Sequence, residues 1–364
     1  MKNIEFKSLF KIANDLNIND CFDEKLDKNI INDLRKLKSI LKNNNYLSDL
    51  NYIDLLKKIN NFFFVRDIFL LENKFLKLDC LLTSDYKKND KLEPNKEELL
   101  FLIDRFNWLN SWYNFTKINF KSNNINWEII KYLRKEVNCG QLSRTIWDTE
   151  FLEYIEDLLT FLNSIVFDEF PIIKTALIFK QILGMKKILN LDVMVVLLML
   201  IFRKYNLDFH LTINIFVSFI FFNRHNNIDK IVDFYKNMNE TDFVLIFKNA
   251  YLKSINLSIL IANKISLQYK NIMDLKDDEI DYLFGNEFKY LFKSKIGVDY
   301  LSLYENGIFL NRHMFRVKVG EFLKKQYLKD ISSNSSIFYV NNFIYQIFVD
   351  VEKYLDNINQ NIMK

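Results

Sequence analysis

Lys186, Lys187, Asn190 and Asp192 crowd into the seven-residue run KKILNLD between two strongly apolar stretches. Two ammonium groups can hold phosphate oxygens as point charges, and Asp192 offers the hard oxygen that Mg²⁺ prefers. Phosphoryl-type transfer also needs a cradle of backbone N–H groups and a base beside the attacking hydroxyl. The run contains no glycine to curl such a cradle and no histidine to act as the base. A lysine with an ordinary pKa near 10.4 stays protonated at neutral pH and cannot replace it. The same residues also make a good solvated turn between two buried helices, so both readings stand for them.

Two other groups could take part in recognition. The stretch GQLSRTIW places Gly140, Arg144 and Trp147 close together. Further on, Arg312, His313, Arg316, Lys318, Lys324 and Lys325 fall along one helical segment, where Arg312, Arg316 and Lys324 are candidate contacts for nucleic-acid phosphates. Phe315, Val319, Phe322 and Leu323 make that segment amphipathic, a solvated basic face needs no ligand, and any binding to duplex DNA is expected to be weak and independent of sequence. His210, His225 and His313 are scattered, and Cys21, Cys80 and Cys139 form no CxxC pair, so neither a metal site nor a disulfide framework is expected.

The elements that would position these residues read as helices. Six Gly and two Pro in 364 residues leave few positions for tight turns, and 49% hydrophobic content excludes global disorder. The predicted class is mostly α. One of the two prolines, Pro171, sits at the head of an apolar run, where the N1 position of a helix suits it. Residues 193–202 are uninterruptedly apolar, which predicts a buried helix, since a bilayer core needs about twenty residues. Polar residues 86–95, with Pro94, mark a linker. After the Lys276–Glu279 charge cluster the pattern changes to short helices, a longer one over about 311–328, a Ser/Asn turn at 332–335 and a β-prone Ile337 to Val340. The net charge of +4 is spread without long runs, and it fits a mixed solvated surface. The expected divisions are 1–85, an N-terminal helical region; 86–270, a helical core; and 275–364, a winged-helix-like domain.

Four landmarks in this order resemble the Fic (Fido) family. They are Leu71-Glu72-Asn73 with Leu82-Thr83; the stretch from Gly140 to Trp147; residues 151–163 followed by Phe170-Pro171-Ile172-Ile173-Lys174-Thr175-Ala176; and residues 209–251 with Phe234-Tyr235 and Asp242-Phe243. The resemblance covers about residues 65–260, and the tail resembles the winged-helix appendage of such proteins. It implies a Fic/Fido helical core in which Gly140, Arg144 and Trp147 form a flap that orders a target peptide. It also implies that KKILNLD stands where the family carries the loop His-Pro-Phe-x-Asp/Glu-Gly-Asn-Gly-Arg, which moves AMP from ATP to a protein hydroxyl. At that joint the base position falls near Lys186, and Leu191 stands where a glycine would be needed.

The expectation is therefore a cytoplasmic, degenerate Fic-like protein that has lost AMP transfer and binds or regulates a protein partner. No catalytic residue is expected, and Lys186, Lys187, Asn190 and Asp192 mark the degenerate loop. No cofactor is expected, ATP and Mg²⁺ entering only if a divergent loop is active. An active protein adenylyltransferase and a DNA-binding regulator acting through the tail are the alternatives. No membrane association is expected.

Overall fold

The computed structural model describes residues 8–43, 149–184, 237–273, 297–299, 311–332 and 338–362, together with Ile59, Ile125, Leu198, Ile201, Phe202, Lys204, Tyr205, Leu207, Phe234 and Tyr235. Most of these residues are helical, as the composition predicts. The chain divides into two compact units, one formed by residues 1–33 and 110–255, the other by 34–109 and 256–364.

In the first unit, α1 (Leu9–Asp15) starts at Ser8, whose side chain accepts from the Phe10 N–H. Asp157 then accepts from both the Ser8 hydroxyl and the Leu9 N–H, so the orphan donors at the start of α1 are satisfied by the next helix it packs on. That helix is α3 (Thr149–Asn163), and α2 (Glu24–Asn43) lies between them in sequence after a 3-10 turn at Ile18–Cys21. Pro171 opens α4 (Pro171–Gly184), where its missing N–H costs nothing. Ile173, Ala176, Leu177, Ile178, Phe179, Ile182 and Leu183 are all buried, and so are Lys174 and Thr175, so α4 is enclosed on nearly every side, as a central helix must be. Leu198 and Phe202 are helical and buried, as the apolar run predicts, whereas Val195 lies outside the described residues.

The long helix α5 (Glu240–Met273) contributes Phe243, Phe247 and Tyr251 to this core from a single i, i+4, i+8 row. Phe179 sits 6.3 Å from Phe243 and 5.7 Å from Phe247, ring centre to ring centre, and Phe202 sits 6.4 Å from Phe247 and 5.7 Å from Tyr251. The stretch Glu240–Leu267 is long and apolar enough to cross a membrane by length and composition, and sequence reading overlooked it in favour of 193–202. Most of it is buried within the protein, and the ammonium of Lys248 is ion-paired there, which is how a core helix behaves.

The second unit contains the only strands among the described residues: β1 (Gly297–Asp299), β2 (Leu328–Asp330) and β3 (Phe338–Asn341). All pairings are antiparallel and the order is β1-β3-β2, with Val298 opposite Tyr339 and Lys329 opposite Val340. Helix α6 (Arg312–Lys324) packs on β2, and α7 (Asn342–Ile362) follows β3 without a break and packs on both β2 and β3. Phe315, Val319 and Phe322 of α6 are buried, as are Leu328, Tyr339, Val340, Ile347, Phe348 and Val351. A salt bridge of 2.6 Å joins Lys264 near the end of α5 to Asp350 of α7.

The helix expected over about 311–328 stops at Lys324, and Leu328 belongs to β2 instead. Gln326 adopts a left-handed backbone with φ of 61°, so its N–H bonds the Leu323 carbonyl at 3.1 Å while the Tyr327 N–H bonds the Phe322 carbonyl at 2.9 Å. This is a Schellman stop, complete with the hydrophobic pair Phe322–Tyr327 at 5.5 Å. Asn342 locks the turn by donating its N–H to the Tyr327 carbonyl and its side-chain amide to the Gln326 carbonyl. Glycine adopts this backbone freely and glutamine only at a cost, while the Gln326 side chain is exposed. Gln326→Gly is therefore expected to stabilise this unit by about 1 kcal/mol, measured by chemical denaturation. The expected strand at 337–340 is found at Phe338–Asn341, and Ile337 lies outside the described residues.

Candidate functional site

Lys186, Lys187, Asn190 and Asp192 lie outside the described residues, as do Gly140, Arg144 and Trp147. The helix that leads into the joint is described to its end at Gly184. Arg312, Arg316 and Lys324 are described, and all three are exposed on α6, where the amphipathic pattern places them.

Around the two ends of α4 and on α5 the fold builds three sites of one design, each around a lysine ammonium. Lys174 is fully buried. Its Nζ donates to the Ser164 carbonyl at 2.7 Å and to Asp168 at 2.6 Å, and it lies 5.5 Å from the Phe161 ring centre and 5.4 Å from that of Tyr205. Lys180 donates to the Met238 carbonyl and to Glu240 at 3.2 Å, 5.9 Å from the Phe243 ring. Lys248, buried on α5, donates to the Cys21 carbonyl at 2.8 Å and to both oxygens of Asp27 at 2.7 and 3.0 Å, 4.8 Å from the Phe22 ring. One carbonyl, one carboxylate and one aromatic face thus recur at each ammonium. Each set supplies at least two acceptors to the ammonium and meets the charge where burial would otherwise make it costly. For Lys174 the carbonyl belongs to Ser164, just past the end of α3, and for Lys248 to Cys21, the last residue of the 3-10 turn, so both ammonium groups meet carbonyls at the end of a helical segment.

The Lys174 site is the richest in titratable groups. Tyr205 donates its hydroxyl to the Leu162 carbonyl at 2.8 Å, and Lys204 reaches Asn163 Oδ1 at 2.6 Å. Burial lowers the pKa of Lys174, and the hydrogen bond and charge of Asp168 oppose that shift. Burial also lowers the pKa of Lys204, with repulsion from Lys174 adding to it, and burial raises that of Tyr205 well beyond the usual phenol range. Two of the three donors of the Lys174 ammonium are engaged, one of them by a carboxylate, and an ammonium has no lone pair to present to a substrate. The arrangement ties the α3–α4 connection shut. Sequence reading passed over Lys174 inside the Pro171 helix, although a lysine set in an apolar run with an aspartate six residues earlier is the visible sign of such a pair.

Among the described residues, no three His, Cys, Asp or Glu side chains gather where they could hold a metal ion. Cys21 is a buried free thiol whose pKa is raised by burial, the environment of an inert cysteine. No protein-family model matches this sequence, and no curated protein matches it.

Proposed function

We propose that this chain is a degenerate relative of the Fic/Fido family, with a winged-helix-like C-terminal domain, that has lost AMP transfer and acts in the cytoplasm by binding or regulating a protein partner. One observation carries this reading. The Pro171-initiated helix is buried through Leu183, and in sequence it is followed by the joint from Lys186 to Asp192, which has no histidine, glycine or arginine. A helix of that kind is what the family resemblance requires ahead of the loop, and the sequence of the joint offers neither the glycines that suit an anion nest nor a histidine base. The β1-β3-β2 sheet around α6 supports the winged-helix-like part, since a helix followed by a hairpin that pairs with an earlier strand is the required order.

The test is AMP transfer by the full chain. With Mg²⁺ and ATP labelled at the α-phosphate, no label is expected to remain on the protein, or on added protein substrates, after a denaturing gel. An ATP analogue with Mg²⁺ is likewise expected to leave the melting temperature unchanged. Label that survives the gel and disappears on Asn190→Ala plus Asp192→Ala would establish an active, divergent loop and overturn the proposal.

A further inference from the structure

We infer that the exposed face of α6 is a docking surface for the phosphate backbone of duplex DNA, read without regard to base sequence. This inference is independent of the fate of the AMP-transfer loop.

Along α6, Arg312, Arg316, Gly320 and Lys324 recur every four residues, so they form one ridge on the helix surface. All four are exposed, and the buried residues Phe315, Val319 and Phe322 occupy the other side. At 1.5 Å per residue the ridge is about 18 Å long, and its three cations can meet on the order of three phosphates. Gly320 is the unusual member. A Cβ built there would meet nothing within 4 Å, so no packing within the protein requires a glycine at this position. Mid-helix glycine is also unfavourable by about 1 kcal/mol relative to alanine. What the missing side chain leaves is a notch in the cationic row, into which an external backbone can approach closely with Arg316 on one side and Lys324 on the other. The half-exposed Val317 lies beside the notch and offers an apolar contact to a deoxyribose. The one acidic residue of the helix, Glu321, sits about 100° round from Gly320. A helix of this diameter also enters a major groove about 12 Å wide.

The surface commits to duplex DNA because charge complementarity and an open notch coincide on it; Asn and Gln, the side chains that read adenine, are absent from the ridge, and its two arginines, side chains that can also read guanine, are assigned to phosphates. Phosphate contacts give affinity without sequence preference.

The experiment is fluorescence anisotropy of the full chain with a labelled 25-base-pair duplex of arbitrary sequence, between 50 and 200 mM NaCl. Three phosphate contacts predict a log–log slope of roughly −2.7, so affinity should fall roughly 40-fold across that range. Replacing Arg312, Arg316 and Lys324 together by Ala should remove most of the slope. Gly320→Gln fills the notch without changing charge and should weaken binding roughly tenfold by holding the phosphates off the row. It should also raise the melting temperature, because glutamine is the better helix former, so lost binding cannot be attributed to unfolding. An unrelated duplex of the same length should bind equally well. Absence of binding at 50 mM NaCl overturns the inference. So does an affinity that either variant leaves unchanged, or a strong preference between the two duplexes.

Discussion

Asp27→Ala is expected to destabilise the protein by about 3–5 kcal/mol, because it leaves the buried ammonium of Lys248 without its carboxylate. The Cys21 carbonyl and the Phe22 ring remain, but they supply one acceptor and one weak face against the desolvation of a full charge. Lys248→Met removes the charge itself. Asp27 can then turn to water, since its side chain is 26% exposed, and the cost should fall to about 1–2 kcal/mol. The double variant should accordingly be more stable than Asp27→Ala alone, an ordering that simple loss of contacts does not produce. Urea unfolding of the four proteins measures it. A cost below about 1 kcal/mol for Asp27→Ala would mean that the ammonium reaches solvent, contrary to its burial.

The second large effect lies in the aromatic core of the first unit. Phe247 is fully buried and its ring meets both Phe179 of α4 and Phe202, so its removal opens a cavity that three rigid helical segments line. Phe247→Ala should cost about 3–5 kcal/mol, and Phe247→Leu less than half of that. The measurement is the shift in the urea midpoint at unchanged slope. A cost near 1 kcal/mol would show that the helices close over the gap.

Parts of this architecture could be read from residue types alone. Pro171 marks the start of α4 because a proline ahead of an apolar run has few other places to sit, and the burial of Leu198 and Phe202 follows from a run too short for a bilayer. Other parts could not. The end of α6 depends on a left-handed glutamine, which carries no mark in sequence because glutamine is a good helix former. Three-residue strands such as β1 and β2 are too short to show alternation, and the partner of β1 comes from a distant stretch. Of the candidate site residues, α6 shows Arg312, Arg316 and Lys324 on the face its apolar spacing predicts. Two of the lysine clamps were hidden for another reason: Lys180 draws its carboxylate from a residue 60 positions away, and for Lys248 the partner lies 221 residues away.

That separation has a consequence for how the chain is made. The N-terminal helices emerge from the ribosome first, yet the seat for Asp27 and the Cys21 carbonyl is not complete until Lys248 has been added. At about 5–20 residues per second, the intervening stretch takes on the order of 10–45 s to synthesise. The Asp157 anchor for the start of α1 becomes available earlier, since it lies 149 residues from Ser8. Until Lys248 is added, Asp27 and the Cys21 carbonyl lack the ammonium they meet in the finished protein, so this part of the first unit completes its packing late in synthesis.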